Sequence, residues 1–206
     1  ALGRSQRSTL LSAGTTRGDR RVGLPRFHRL GGPEVLEIEE LPDRPLNEGE
    51  LRVRVEAIGL NRAEEMFRSG AYLEQPNLPA QNGYEASAVV LELGPGVSGF
   101  AVGEAISVIP AFSLNAYGVY AEVAVVPAYA VVKRPKGLNA IEAAAVWMAY
   151  ITAYGALIDI AKVGKGDAVV IPAASSSVGL AAIQIVNSVG GVSIAMTRTS
   201  AKAAAL

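Results

Sequence analysis

Ala168-Val169-Val170-Ile171, Pro172-Ala173-Ala174-Ser175-Ser176-Ser177-Val178-Gly179, an apolar run to residue 189, Gly190-Gly191 and Val192-Ser193-Ile194-Ala195-Met196 follow one another without a break, and their reading decides the fold. A short, wholly apolar strand is characteristic of a sheet covered on both faces, as parallel sheets are. The run 178–189 is long enough for a helix and ends at a glycine pair, and a second apolar strand follows. Strand, tight loop, helix and strand make a βαβ unit of about 30 residues. Such a loop of small residues between a buried strand and a helix can hold a pyrophosphate. Backbone N–H groups and the helix dipole face the anion, and small side chains let it approach. The usual glycine fingerprint is not intact. The spacing here is Ala173-x-x-Ser176-x-x-Gly179, in which serine takes little room and adds a hydroxyl donor. Ala174, Ser175, Ser176, Ser177, Val178 and Gly179 are therefore the candidate pyrophosphate contacts, and a simple tight turn is the competing reading.

The end of the second strand separates the two nicotinamide cofactors. An acid there would accept from the adenosine ribose hydroxyls, whereas a base would pair with the additional phosphate of NADP. The chain has Thr197-Arg198-Thr199-Ser200-Ala201-Lys202 and no acid. Arg198 supplies a bidentate fork, Ser200 a donor and Lys202 a charge, which points to NADP(H). The competing reading is a solvated basic turn.

Working outward, residues 27–132 carry strand and turn signals. Leu51-Arg52-Val53-Arg54-Val55-Glu56 alternates, so one face is expected buried and the other solvated. A turn precedes it at 47–50, and further strands are expected at 84–93, 105–109 and 120–126, with Gly94-Pro95-Gly96 closing the first of these. Several short strands punctuated by Gly and Pro predict a compact barrel or sandwich. A short helix is expected after Asn61, which can cap it, with Glu64 and Glu65 in its first turn. Residues 138–161 are Ala-rich and helical, with Glu142 near the start and Lys162 at the end. A membrane span is rejected there, because the run is mostly alanine, holds Glu142, Thr152 and Asp159 and is interrupted by Gly155. A helix buried between domains fits better. The fold class is α/β with a β-rich N-terminal part.

Composition removes several chemistries. The 206 residues balance nineteen basic against nineteen acidic side chains and contain no cysteine and one histidine, His28. Disulfides, thiolate catalysis, thiolate metal sites and multi-histidine metal sites therefore have no ligands in this sequence. The neutral balance gives no global drive toward nucleic acid. Neutrality is itself a sum of unlike parts. Residues 1–23 hold five arginines against Asp19, which leaves 14 basic and 18 acidic side chains for the remainder. This Ser/Thr/Gly-rich leader has no apolar period and is expected to be disordered. Its composition resembles an organellar transit peptide; a misplaced translation start is the preferred reading, and the chain is expected to be cytoplasmic.

The chain resembles the zinc-independent quinone oxidoreductases of the medium-chain dehydrogenase/reductase superfamily. The resemblance is carried by Gly31-Gly32-Pro33-Glu34-Val35-Leu36, Gly59-Leu60-Asn61-Arg62-Ala63-Glu64, Phe67-Arg68-Ser69-Gly70-Ala71-Tyr72 and Gly83-Tyr84-Glu85-Ala86. It continues through Gly94-Pro95-Gly96-Val97, Gly99-Phe100, Val102-Gly103-Glu104, Tyr120-Ala121-Glu122, Thr152-Ala153-Tyr154-Gly155-Ala156-Leu157 and the loop 173–179. It implies a chaperonin-10-like β barrel over 24–134 and an interdomain helix leading into a Rossmann (doubly wound) NADP-binding domain over 135–206. In zinc-dependent members a cysteine stands at the place of Asn61 and a histidine at that of Tyr84, so the resemblance is to the branch with no metal ligands. It also implies that Asn61 and Tyr72 line the substrate cleft as catalytic candidates and that Thr152 contacts the cofactor carboxamide.

Simpler roles compete for each of these residues: a helix cap for Asn61, a packed rim aromatic for Tyr72 and a helix carbonyl partner for Thr152. Glu64 and Arg68, at i and i+4, are expected to form a salt bridge. His28 is expected on a surface strand and Trp147 in a domain-interface core. The implied activity is hydride transfer from NADPH to a quinone or an activated enone, with the proton coming from Tyr72 or from water. The expected partners are small molecules, with no nucleic acid and no membrane. A complete Rossmann domain has two βαβαβ halves and this sequence shows one βαβ unit. A C-terminally truncated, catalytically silent homologue with partial cofactor binding is therefore the alternative, and it puts the implied homodimer in doubt.

Overall fold

The computed structural model describes residues 21–205. Residues 1–20, most of the expected leader, lie outside the described residues. The leader boundary at 23 shifts, because Arg21, Val22 and Gly23 belong to strand β1 (Arg21–Phe27) and pair with Pro42, Leu41 and Glu40 of β2 (Glu37–Pro42). Partners on β2 use backbone groups that a disordered leader would leave to water.

The β-rich part continues as β3 (Glu50–Ile58), α1 (Arg62–Ser69), β4 (Ala80–Gln81), β5 (Ala86–Leu93), β6 (Ala105–Val108), β7 (Val123–Pro127) and β8 (Val131–Lys133). One antiparallel sheet has the order β2-β1-β4 and a second the order β7-β3-β5-β6-β8. Phe27, Leu51, Val53, Phe67, Val90, Ile106, Val108 and Val126 share one core at zero exposure. Phe27 and Phe67 meet edge to face with ring centroids 6.0 Å apart, which ties α1 to β1.

Two strands start later than the sequence pattern predicts. Tyr84 N–H goes to the Glu64 carboxylate and Tyr120 N–H to the Asn82 carbonyl, so neither joins a ladder. The alternation of 51–56 also fails at Arg52, which is 1% exposed. Its guanidinium is paired with Asp43, with Glu92 at 3.1 Å and with the Arg44 carbonyl at 2.6 Å. Paired and hydrogen-bonded in this way, an arginine can be buried; periodicity registers its polarity but not its partners.

The Ala-rich run is not one helix. It forms α2 (Ala140–Ala145), α3 (Trp147–Tyr154) and a π-helical segment (Gly155–Ile160). Asn139 caps α2 by accepting Glu142 N–H at 3.0 Å, and Glu142 returns a bond to Asn139 N–H. Among the described residues no helix is long and apolar enough to cross a membrane. The βαβ unit then appears as β9 (Ala168–Ile171), α4 (Ser177–Ser188) and β10 (Val192–Ala195), with β9 and β10 parallel. Its core sets Ala149 and Ala153 of α3 with Ala181, Ala182, Ile185 and Val186 of α4. Alanines on both faces let the two helices approach closely.

Candidate functional site

The loop between β9 and α4 is held by its own backbone. Ala174 N–H donates to the Met196 carbonyl, Met196 N–H to the Ile171 carbonyl, and Ser176 N–H to the Ala173 carbonyl. These bonds join the C-terminal ends of the two parallel strands, where open α/β sheets bind their ligands. Ala173 takes a φ of +50°, a conformation costly for a residue with a Cβ. Ser176 is the N-cap of α4 and its Oγ accepts Gly179 N–H at 3.0 Å. A Cβ on Gly179 would lie 2.6 to 2.7 Å from the O, C and Cα atoms of Ala174. These are backbone atoms that cannot move aside, so only glycine lets the helix start so close to the loop.

Ser176, Ser177 and Val178 are exposed at the helix mouth while Ala174 is fully buried beneath them. With Ser176 Oγ committed to Gly179, the remaining first-turn N–H groups, those of Ser177 and Val178, are suited to an anion. The basic turn after β10 reaches the same loop: Lys202 Nζ lies 3.4 Å from Ser175 Oγ. Thr197 Oγ1 donates to the Thr199 carbonyl at 2.6 Å, which fixes the turn that exposes Arg198 and Ser200. The donor set, the N–H groups of Ser177 and Val178 with the Ser175 hydroxyl and Lys202, thus fits a phosphorylated dinucleotide. Cation and small-residue loop, far apart in the sequence, are neighbours in the fold.

Two of the other candidates, Asn61 and Thr152, are linked through one carboxylate. Asn61 stands at the N-cap of α1, and its Nδ2 donates to Glu85 Oε1 at 2.9 Å. Glu85 Oε2 accepts Met148 N–H at 2.9 Å. Thr152 lies one turn further along α3, and its hydroxyl donates to the Met148 carbonyl at 2.6 Å. Tyr72 is half-buried, with its ring 6.2 Å from that of Tyr84. Asn61 and Thr152 are therefore linked through Glu85 and Met148, while Tyr72 packs on Tyr84, the residue before Glu85. The simpler roles are real as well, since Asn61 occupies a cap position and Thr152 satisfies a helix carbonyl.

The expected Glu64–Arg68 salt bridge is replaced by two separate arrangements. Glu64 turns inward and accepts Tyr84 N–H at 3.0 Å and Asn61 N–H at 2.5 Å, while Arg68 Nε donates to the Gly31 carbonyl at 3.2 Å. Burial holds the Glu64 carboxyl above its usual range, the two N–H bonds pull it back, and the Glu85 charge raises it further. Burial likewise raises the phenols of Tyr84 and Tyr120, so both stay protonated at neutral pH. His28 is exposed beyond the end of β1 and pairs with Glu39 at 2.5 Å, away from these groups. Trp147 is half-buried at the α2–α3 break, with a buried indole N–H that has no partner among the described residues.

Sequence reasoning missed Glu85 and Met148. The available signal was a carboxylate at the start of a largely apolar strand, but its second partner is a backbone N–H 63 residues away.

Comparison with known proteins agrees with this architecture. The family model of the alcohol dehydrogenase GroES-like domain matches residues 47–136. The human synaptic vesicle membrane protein VAT-1 homolog is 34% identical over 178 residues, which are 85% of this chain and 44% of that protein. Human quinone oxidoreductase is 34% identical over 174 residues, 84% of this chain and 52% of that one. The solved structure of the quinone oxidoreductase from Coxiella burnetii superposes with a TM-score of 0.81 at 26% identity, covering 89% of this chain and 59% of the other. The chain spans about half the length of the curated relatives it matches.

Proposed function

We propose that this chain, a quinone-oxidoreductase-like member of the medium-chain dehydrogenase/reductase superfamily, is an NADPH-dependent oxidoreductase that reduces a quinone or an activated enone without zinc. The observation that carries the reading is the loop 173–179, closed on α4 at a glycine with no room for a Cβ and flanked by Lys202. NADPH, when bound, supplies the hydride. The N–H groups of Ser177 and Val178 and the Ser175 hydroxyl would hold its pyrophosphate. Arg198, Ser200 and Lys202 would hold its adenosine phosphate, where the fork of an arginine suits the anion.

Thr152 has committed its proton to Met148 and keeps its lone pairs for the carboxamide N–H. Asn61 spends one amide hydrogen on Glu85, and its second N–H can stabilise negative charge developing on the acceptor oxygen. Tyr72 offers an aromatic wall to a flat acceptor and a hydroxyl as proton donor, with water as the other source. Zinc-free chemistry is supported by the donor set: Asn61 offers an amide and Tyr84 a phenol where zinc-dependent relatives have ligands, and the sequence has no cysteine. Quinones and enones accept hydride without a Lewis acid when held in position, so positioning and hydrogen bonding suffice. A small-molecule partner and a cytoplasmic setting belong to the same reading.

A second reading is cofactor binding without turnover: the bonds that shape loop 173–179 involve Met196, Gly179 and Lys202 and none of Asn61, Tyr72 or Thr152. The full chain, incubated with NADPH and a benzoquinone with and without a chelator, separates these readings. Chelator-insensitive oxidation of NADPH supports the enzyme. Binding without oxidation selects the second reading, and no binding overturns both.

A further inference from the structure

We propose that Glu85 is the positioning residue of the cleft, a single carboxylate that fixes the substrate side and the cofactor side relative to each other; this rests on the oxidoreductase reading above. Glu85 is 2% exposed and immediately precedes β5. Its two oxygens are divided between two elements, Oε1 taking the Asn61 amide and Oε2 the Met148 N–H. The second bond explains the interrupted helix. In an unbroken helix Met148 N–H would donate to the Ala144 carbonyl. Here α2 ends at Ala145, and α3 begins at Trp147 after Val146, a residue with no side chain able to cap. Glu85 provides the cap from another element, and its charge sits at the positive end of α3.

The fold makes room for this carboxylate. A Cβ on Gly59 would lie 2.3 Å from Glu85 Oε1, 2.4 Å from its Cγ and 2.5 Å from the Ala144 carbonyl oxygen. Gly59 N–H also donates to the Glu85 carbonyl at 3.0 Å, which holds the backbone of the residue in place. Two consequences follow for the cleft. The Asn61 carboxamide has only one orientation that donates to a carboxylate, so Glu85 sets which of its atoms face the acceptor. Thr152 lies one turn beyond the capped N–H, so the start of α3 sets its height. Asn61 and Thr152 share no hydrogen bond; each is referred to Glu85.

Glu85→Gln in the full chain tests this. Glutamine has one acceptor oxygen, so it can satisfy Asn61 or Met148 but turns an N–H toward the other. Two readouts are taken. In nitrogen-15 spectra the Asn61 side-chain amide and the Met148 backbone amide should shift, and Met148 hydrogen exchange should quicken by roughly tenfold or more as its cap weakens. In the NADPH–quinone assay kcat should fall by about tenfold to a hundredfold. Asn61→Ala should remove most of that sensitivity, so that the double variant is little slower than Asn61→Ala alone. A merely structural role predicts unchanged Asn61 and Met148 signals relative to their neighbours, with additive losses, and that result overturns the proposal. If Glu85→Gln does not fold, Glu85→Asp is read instead. It keeps the charge but loses reach, so one of the two signals should move, and neither moving overturns the proposal. A wild-type chain without turnover would refute the oxidoreductase reading, while the two amide signals would still decide whether Glu85 holds both sides.

Discussion

In the five-stranded antiparallel sheet Leu51, Val53, Val90, Ile106, Val108 and Val126 are all at zero exposure; in the parallel pair β9–β10, Val170 is 57% exposed, Val192 56% and Ile194 46%. Both regions are built from short strands rich in valine and isoleucine. They differ in what lies over them. The barrel closes around one core to which α1 contributes Phe67, whereas the parallel pair is covered by α4 and, through it, by α3. The barrel therefore holds the larger buried apolar core among the described residues. The parallel unit carries the loop proposed to hold the cofactor, and α3, which packs on α4, is joined to the barrel by the bond from Met148 N–H to Glu85.

That contrast can be broken first in the barrel core. Phe67→Ala removes a fully buried ring that packs on Phe27 and should cost about 3–5 kcal/mol, read as a shift in the urea midpoint. A loss below about 1 kcal/mol would mean that the barrel core is not the stabilising element. A smaller effect comes from the barrel's buried charge. Glu50 accepts two bonds from Arg44, at 2.7 and 2.8 Å, and others from Asn47 N–H and Tyr117 OH. The Arg44 bond in particular pulls its carboxyl from 4.5 down to about 2. A folded-state value below the unfolded one gives stability that is present above pH 4.5 and lost as pH falls toward 2. On the order of 3 kcal/mol should disappear across that window. Acid titration of Glu50→Gln should lack this component; an unchanged acid transition would contradict the assignment.

The sequence conveyed much of this layout because the signals were local. The strand 168–171 and the loop that follows are recognisable from residue size and apolarity alone, and the structure places β9 at Ala168–Ile171. What stayed hidden depended on partners remote in the chain. Arg52 alternates like a solvated residue but is buried among Asp43, Glu92 and the Arg44 carbonyl. Glu64 has the spacing of a helix salt bridge to Arg68 but bonds to Tyr84 N–H across the fold. The run 138–161 has the composition of one helix, and it breaks where Glu85 takes Met148 N–H. For the site, the residue types at 61, 72, 152 and 173–179 were legible, but the carboxylate that links Asn61 to the start of α3 was not.

The smallest stability effect lies in the parallel unit. Ala173 holds a φ of +50° that glycine adopts freely. Ala173→Gly should therefore stabilise the chain by about 1 kcal/mol without altering the barrel, measured by urea denaturation. A destabilisation would show that the loop does not need that conformation.

On the proposed function, the two strand ends of the parallel unit form one NADPH site, with loop 173–179 on the pyrophosphate and turn 197–202 on the extra phosphate. Calorimetric titration of the full chain with NADPH and with NADH, before and after Arg198→Ala, tests it most directly. The wild type should prefer NADPH, and Arg198→Ala should weaken NADPH by about tenfold while leaving NADH nearly unchanged. Equal losses for both cofactors, or no preference in the wild type, would contradict it.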